Sequence, residues 1–87
     1  MDRVKVKLLF FAKSREIVGK KEADFEFASC TTSVSILEKL IEEYPELSVI
    51  AENVVLSLNE EYLELDNQEL TLQAGDELAI IPPISGG

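Results

Sequence analysis

Histidine and tryptophan are absent from this 87-residue chain, and cysteine occurs once. Without histidine no Ser-His-Asp or Cys-His nucleophile pair can be assembled, and a single thiol does not supply the several His or Cys ligands of a zinc site. One cysteine also excludes an internal disulfide, which with the lack of a charged-then-apolar leader predicts a reduced, cytoplasmic protein. Long apolar runs are missing too: none approaches the ~18 residues needed to span a bilayer, so a soluble chain with no membrane partner is expected. Cations are scarce. Lys and Arg number 8 against 17 Asp and Glu, for a formal net charge of −9. A duplex-binding surface needs clustered basic side chains, so nucleic acid is not an expected partner. At 87 residues there is room for one domain and none for a separate catalytic lobe.

The hydrophobic residues, 46% of the chain, fall into periodic segments. From Val4 to Phe11, Val4, Val6, Leu8 and Phe10 alternate with Lys5 and Lys7, the period of a half-buried strand. Ala12 to Val18 reads as a short helix stopped by Gly19, and Gly19-Lys20-Lys21 as the reversal. Ala23, Phe25 and Phe27 then alternate with Glu22, Asp24 and Glu26 in a second strand, antiparallel to the first. Ser29 to Thr32 offer N-cap hydroxyls for the main helix, in which Val34, Leu37, Leu40, Ile41 and Tyr44 recur at helical spacing until Pro45. A third strand spans Val54 to Leu58, Asn59-Glu60-Glu61 turns, and Tyr62 to Leu65 forms a short edge strand broken by Asp66-Asn67. Ala74-Gly75-Asp76 turns again into a last strand, Glu77 to Ile81, ended by Pro82 and Pro83.

This order predicts an α+β domain in which one main helix covers one face of a mixed sheet. A β-grasp arrangement with the first and last strands as central neighbours satisfies it, and the pattern alone leaves other small α+β topologies open. Residues 1–83 make the domain and 84–87 a flexible tail.

Few motifs carry chemistry of their own. Gly19-Lys20 resembles part of a phosphate loop, but Ser14 and Lys21 occupy two of that motif's fixed positions, where Gly and Ser or Thr are required. Glu42-Glu43 point apart on a helix and Glu60-Glu61 sit in a turn, so both pairs read as solvated charge rather than as a general acid and base. Cys30 reads as a packed or surface thiol. The end of the chain differs. Pro82-Pro83-Ile84-Ser85-Gly86-Gly87 is a strand stop, a short spacer and two residues without side chains, and a terminal Gly pair arises by chance in only ~0.5% of chains. Glycine lets backbone enter a channel too narrow for side chains, and the prolines direct the tail away from the sheet. What it presents is a carboxylate, ionised at neutral pH and a poor electrophile until activated. Adenylation by ATP creates a leaving group, and a sulfur donor replacing AMP leaves a thiocarboxylate on Gly87. In this scheme the chain is the carrier and its partners are the catalysts.

Two segments, Leu9 to Gly19 (LFFAKSREIVG) and Gly75 to Gly87 (GDELAIIPPISGG), resemble the signature segments of the molybdopterin synthase small subunit, the MoaD-type sulfur carriers, and the likeness runs through essentially the whole chain. The sequence differs at Ile80-Ile81, where some relatives carry aromatic residues. The resemblance implies a ubiquitin-like β-grasp fold and a Gly87 that passes through a glycyl adenylate to 1-thioglycine. It implies two partners. A ubiquitin-activating-like adenylyltransferase and sulfurtransferase spends the ATP, no cofactor being bound by the chain itself, and the large synthase subunit receives the tail in a heterotetramer. Sulfur then passes to cyclic pyranopterin monophosphate, and two transfers make the molybdopterin dithiolene of molybdenum cofactor biosynthesis. Three other readings use the same sequence: a ubiquitin-related modifier conjugated to proteins through Gly87, a thiazole-pathway sulfur carrier, and an interaction module in which the tail has no part.

Strand parity adds an expected docking patch. With Val4, Val6, Leu8 and Phe10 inward, Leu9 and Phe11 face outward; with Leu78 and Ile80 inward, Ala79 and Ile81 face outward. Phe11, Ile81 and Tyr62 are thus expected in one apolar cluster beside the emerging tail, which Pro82, Pro83, Ile84, Ser85 and Gly86 carry into the partner, with Arg15 as a rim contact.

Overall fold

The computed structural model describes residues 2–50 and 53–82. The elements are β1 (Arg3–Phe10), α1 (Ala12–Val18), β2 (Glu22–Ala28), β3 (Cys30–Thr32), α2 (Ser33–Glu43), a 3₁₀ helix (Pro45–Val49), β4 (Val55–Leu58), β5 (Glu61–Leu63), β6 (Glu69–Thr71) and β7 (Glu77–Ile81). Five strands form one mixed sheet in the order β2-β1-β7-β4-β5. β1 and β7 are parallel central neighbours, with Leu8 opposite Leu78 and Leu9 opposite Ala79, and every other pairing in this sheet is antiparallel. The expected β-grasp order therefore holds.

The core lies on the α2 side of the sheet. Val6, Leu8 and Phe10 of β1, Leu56 of β4, and Leu78 and Ile80 of β7 meet Ile36 and Leu40 of α2, all buried. The helix starts where the Thr32 hydroxyl accepts the Ser35 N–H at 3.1 Å, and it ends at Tyr44, because Pro45 has no N–H to continue the ladder and instead opens the 3₁₀ turn. Tyr44 meets Phe10 edge-on with ring centroids 5.4 Å apart, fastening the helix end to β1. At the other small helix, Gly19 supplies the left-handed C-cap with φ 80° and donates to the Arg15 carbonyl at 2.8 Å.

Several elements differ from the sequence reading. Cys30 to Thr32 do more than precede a helix: they pair with β6 in a second, two-stranded sheet. The first strand stops at Phe10, and Phe11 becomes the N-cap of α1. The β4–β5 loop is the two residues Asn59 and Glu60, both at positive φ, so Glu61 pairs with Leu58 and the edge strand ends at Leu63 rather than Leu65. On α2 the fully buried apolar positions are Ile36 and Leu40, flanked by half-buried Leu37 and Ile41, because the helix faces the sheet one position round from the expected stripe. Leu47 and Leu72, outside any regular strand or α-helix, close the ends of the core.

Candidate docking face and carrier tail

The outer face of the sheet, away from α2, is organised in rungs. One rung runs Glu22–Leu9–Ala79–Ser57–Tyr62 across all five strands. Its middle residues, Ala79 and Ser57, are small, while Leu9 and Tyr62 on either side are large, so the face is concave there. A cleft of about 320 Å³ results, lined by Leu9, Phe11, Ser57, Tyr62, Ala79 and Ile81, with Glu60 and Glu77 also contributing. On the next rung Ile81 lies opposite Val55. In the other direction the rungs become charged: Asp24–Lys7–Glu77, then Glu26–Lys5. One half of the face is therefore apolar and the other saline, and β7 runs from the charged half toward the apolar half, where the chain leaves at Pro82.

Phe11 is 48% exposed and Tyr62 76%, which is unusual for large apolar rings with no role in folding. Phe11 is held by Ser14. The buried Ser14 hydroxyl accepts the Phe11 N–H at 3.0 Å, and its proton faces the carbonyl oxygens of Phe11 at 2.7 Å and Ile80 at 2.9 Å. One side chain thus ties the start of α1 to the last strand two residues before Pro82. The opposite rim is fixed by Asn59, whose side chain accepts the Glu77 N–H at 2.9 Å and donates to Asp76 at 3.1 Å.

Of the site residues expected from sequence, Phe11, Tyr62 and Ile81 come together in this cleft. Ala79, expected outward, does face outward but is only 9% exposed, because Leu9 and Ser57 flank it on the two neighbouring strands. Arg15 does not line the cleft: it lines a separate concavity with Glu16, Gly19, Lys20 and Lys21. Pro82 is buried. Pro83, Ile84, Ser85, Gly86 and Gly87 lie outside the described residues, as does the proposed tail. Ser57 and Val55 belong to the face and were missed, although the same parity rule applied to Leu56 and Leu58 would have turned them outward. Cys30 is exposed on β3 of the two-stranded sheet, its sulfur 4.0 Å from a Glu69 carboxylate oxygen, and does not line the cleft. No helix among the described residues is long and apolar enough to cross a membrane.

A sheet of this order crossed by one main helix, with an apolar concavity at the end of its last strand, defines a ubiquitin-like β-grasp protein. Solved structures agree. A ubiquitin from Caldiarchaeum subterraneum superposes with a TM-score of 0.65 at 17% identity, covering 99% of this chain and 100% of that one, which speaks to fold alone. The small archaeal modifier protein SAMP1 of Haloferax volcanii gives 0.76 at 26% identity, covering 95% of this chain and 99% of that one. A complex of subunits 1 and 2 of the molybdopterin-converting factor from Helicobacter pylori gives 0.60 at 25% identity, covering 97% of this chain and 100% of the matched one. In sequence, the molybdopterin synthase sulfur carrier subunit of Anopheles gambiae is 47% identical, covering 99% of this chain and 96% of its own. That of Aedes aegypti is 44% identical, covering 97% and 90%. The ThiS family pattern matches residues 8–87. The chain belongs to the ThiS family, among the molybdopterin synthase sulfur carrier subunits.

Proposed function

We propose that this chain is the sulfur-carrying small subunit of a molybdopterin synthase and that Gly87 is its carrier residue. The observation that carries the reading is the apolar cleft around Phe11, Tyr62 and Ile81 at the end of β7 from which the tail departs. The likeness to sulfur carrier subunits along nearly the full chain supports the same role, and the Helicobacter complex supports a large subunit as the docking partner. The carboxylate of Gly87 attacks the α-phosphate of ATP, releasing pyrophosphate and leaving a glycyl adenylate. A sulfide-level donor then displaces AMP, giving the thiocarboxylate. Within the large subunit the thiocarboxylate sulfur bonds to cyclic pyranopterin monophosphate, and water cleaves the resulting acyl–sulfur bond, leaving the sulfur on the pterin and a carboxylate on Gly87. The chain supplies no acid, base or metal to these steps; it contributes the acyl group and the surface that aims it.

Ordering Gly86 and Gly87 in a partner costs about 1 to 2 kcal/mol of backbone entropy per residue. Phe11 is already half buried, so docking recovers about half of the 1.5 to 3 kcal/mol that complete burial of such a side chain gives. The exposed Val55 and Tyr62 add further burial, and the partly buried Ile81 a smaller share; together they offset the ordering of the tail.

The test is mass spectrometry of the protein after incubation with an adenylyltransferase of the pathway, ATP and a sulfur donor, followed by addition of large subunit and pterin precursor. A gain equal to replacement of one oxygen by sulfur, located on Gly87 and lost on transfer, is expected. Deletion of Gly87 abolishes loading and leaves the fold intact. Molybdopterin formation by the truncated chain would overturn the reading, and recovery of Gly87 in amide linkage to target lysines would favour the modifier role that the SAMP1 likeness suggests.

A further inference from the structure

The edge of the main sheet is occupied on one side only along β2. The Ser29 N–H donates to the Asp2 carbonyl at 3.0 Å and the Phe10 N–H to that of Lys21 at 2.9 Å, which places Val4–Phe27, Val6–Phe25 and Leu8–Ala23 on the hydrogen-bonded rungs of the β1–β2 pair. Ala23, Phe25 and Phe27 therefore turn their N–H and C=O groups toward β1. Those of Glu22, Asp24 and Glu26 point away from the sheet, and among the described residues no strand pairs with them. The side chains of the same three residues stand on the outer face. Around this edge lies a second cleft of about 370 Å³, lined by Phe25, Phe27, Thr31, Ser35 and Lys39 and, from the outer side of the strands, by Arg3, Glu26 and Ala28. Its floor is the Phe25–Phe27 pair, ring centroids 4.8 Å apart. It shares no lining residue with the cleft at the end of β7.

We propose that the free edge of β2 is a strand-addition site for an extended protein segment in which apolar and basic residues alternate. Main-chain groups of Glu22, Asp24 and Glu26 pair with the incoming strand. Its apolar side chains enter the cleft over the Phe25 and Phe27 rings, and its lysines or arginines lie beside the three carboxylates. β1 already shows the fit from the other side: Arg3-Val4-Lys5-Val6-Lys7-Leu8 has this alternation, with Lys7 opposite Asp24 and Lys5 opposite Glu26. Lys39 at the cleft sets the register, because a slip by one residue brings the basic side chains against it and the apolar ones among the carboxylates. Charge rejects a second copy as occupant. Antiparallel pairing of two β2 strands sets Asp24 against Asp24 and Glu22 against Glu26.

The experiment titrates a synthetic eight-residue peptide alternating valine and lysine into the isotopically labelled full chain and reads amide shifts and hydrogen exchange. Shifts confined to β2 and the facing side of α2, with slowed exchange at Glu22, Asp24 and Glu26, are expected. Replacing the peptide lysines by glutamate lowers affinity at least tenfold. The exposed pair Asp24→Lys and Glu26→Lys inverts that preference, with the spectrum of the free variant confirming its fold. No binding, equal binding by the variant, or shifts centred on Leu9, Phe11, Ala79 and Ile81 would overturn the proposal. Concentration-dependent shifts at β2 in the protein alone would also overturn it, by assigning the edge to a second copy.

Discussion

The two faces of the main sheet are built from the same strands and both carry large apolar side chains, yet those side chains end in opposite states. On the inner face Val6, Leu8, Phe10, Leu56, Leu78 and Ile80 are each no more than 2% exposed, sealed by α2. On the outer face Phe11, Val55 and Tyr62 remain exposed around a concavity that nothing in the described residues fills. Folding accounts for the first set, because burying it is what holds the helix on the sheet. It gives no account of the second. The proposed docking explains apolar residues kept in water at the end of β7, and the small Ala79 and Ser57 between them shape the receiving surface.

The comparison breaks most sharply at Leu8, which sits at the centre of the inner face. Leu8→Ala is expected to lower unfolding free energy by about 2 to 5 kcal/mol in urea titration, through lost burial and the cavity left behind. Affinity of the remaining folded molecules for the large subunit stays unchanged. The outer face behaves in reverse. Phe11→Ala with Ile81→Ala costs about 1.5 kcal/mol of binding, roughly tenfold in Kd by titration calorimetry, since Phe11 contributes about half of its full burial term and the less exposed Ile81 a smaller share. The stability of that double variant falls much less than that of Leu8→Ala. Unchanged affinity with an intact fold would remove the outer face from the docking account.

Ser14 lies between the two faces and sharpens the contrast. Ser14→Ala takes away the acceptor of the Phe11 N–H, leaving it only a 3.4 Å approach to the Ile80 carbonyl. The expected cost is about 1 to 2 kcal/mol for a buried donor left poorly paired. Because the same bond sets Phe11 against β7, partner affinity falls together with stability, unlike either face taken alone. Denaturant titration and calorimetry on one preparation separate the two effects.

Much of this was legible in the sequence, and for identifiable reasons. Alternation in β1, β2 and β7 fixes which side chains share a face, so the core residues of β1 and the cluster of Phe11 and Ile81 follow from parity alone. Tyr62 joins them through the β4–β5 register, which the two-residue turn sets. The losses are where periodicity is short or absent. A three-residue strand such as β3 has no period to read, and its pairing with β6 joins residues about forty positions apart. Leu47 and Leu72 are buried by tertiary packing at the ends of the core rather than by membership of an α-helix or strand. The position of Arg15 outside the cleft was not legible either, because a seven-residue helix gives little phase information about which side it turns to the sheet. The free edge of β2 is a property of strand order, and its alternating carboxylates become meaningful only when β1 is known to hold the other side.

The smallest expected effect concerns the turn at the rim of the outer cleft. Asn59 and Glu60 have φ of 50° and 72°, the conformation of a type I′ hairpin in which glycine is favoured at the second position. Asn59 tolerates it and is held by its bonds to Asp76 and Glu77. Glu60 has no such compensation among the described hydrogen bonds, and a side chain in the left-handed region costs about 1 to 2 kcal/mol. Glu60→Gly relieves that strain and gives back about 0.5 to 1 kcal/mol through the greater freedom of glycine in the unfolded chain. The net is a stabilisation of about 0.5 kcal/mol, visible as a higher urea midpoint. Glu60 contributes to the cleft lining without being one of its apolar residues, so affinity for the large subunit changes little. A gain in stability accompanied by a clear loss of affinity would instead show that the cleft needs its acidic rim, and would shift the docking account from the rings of Phe11 and Tyr62 toward charge.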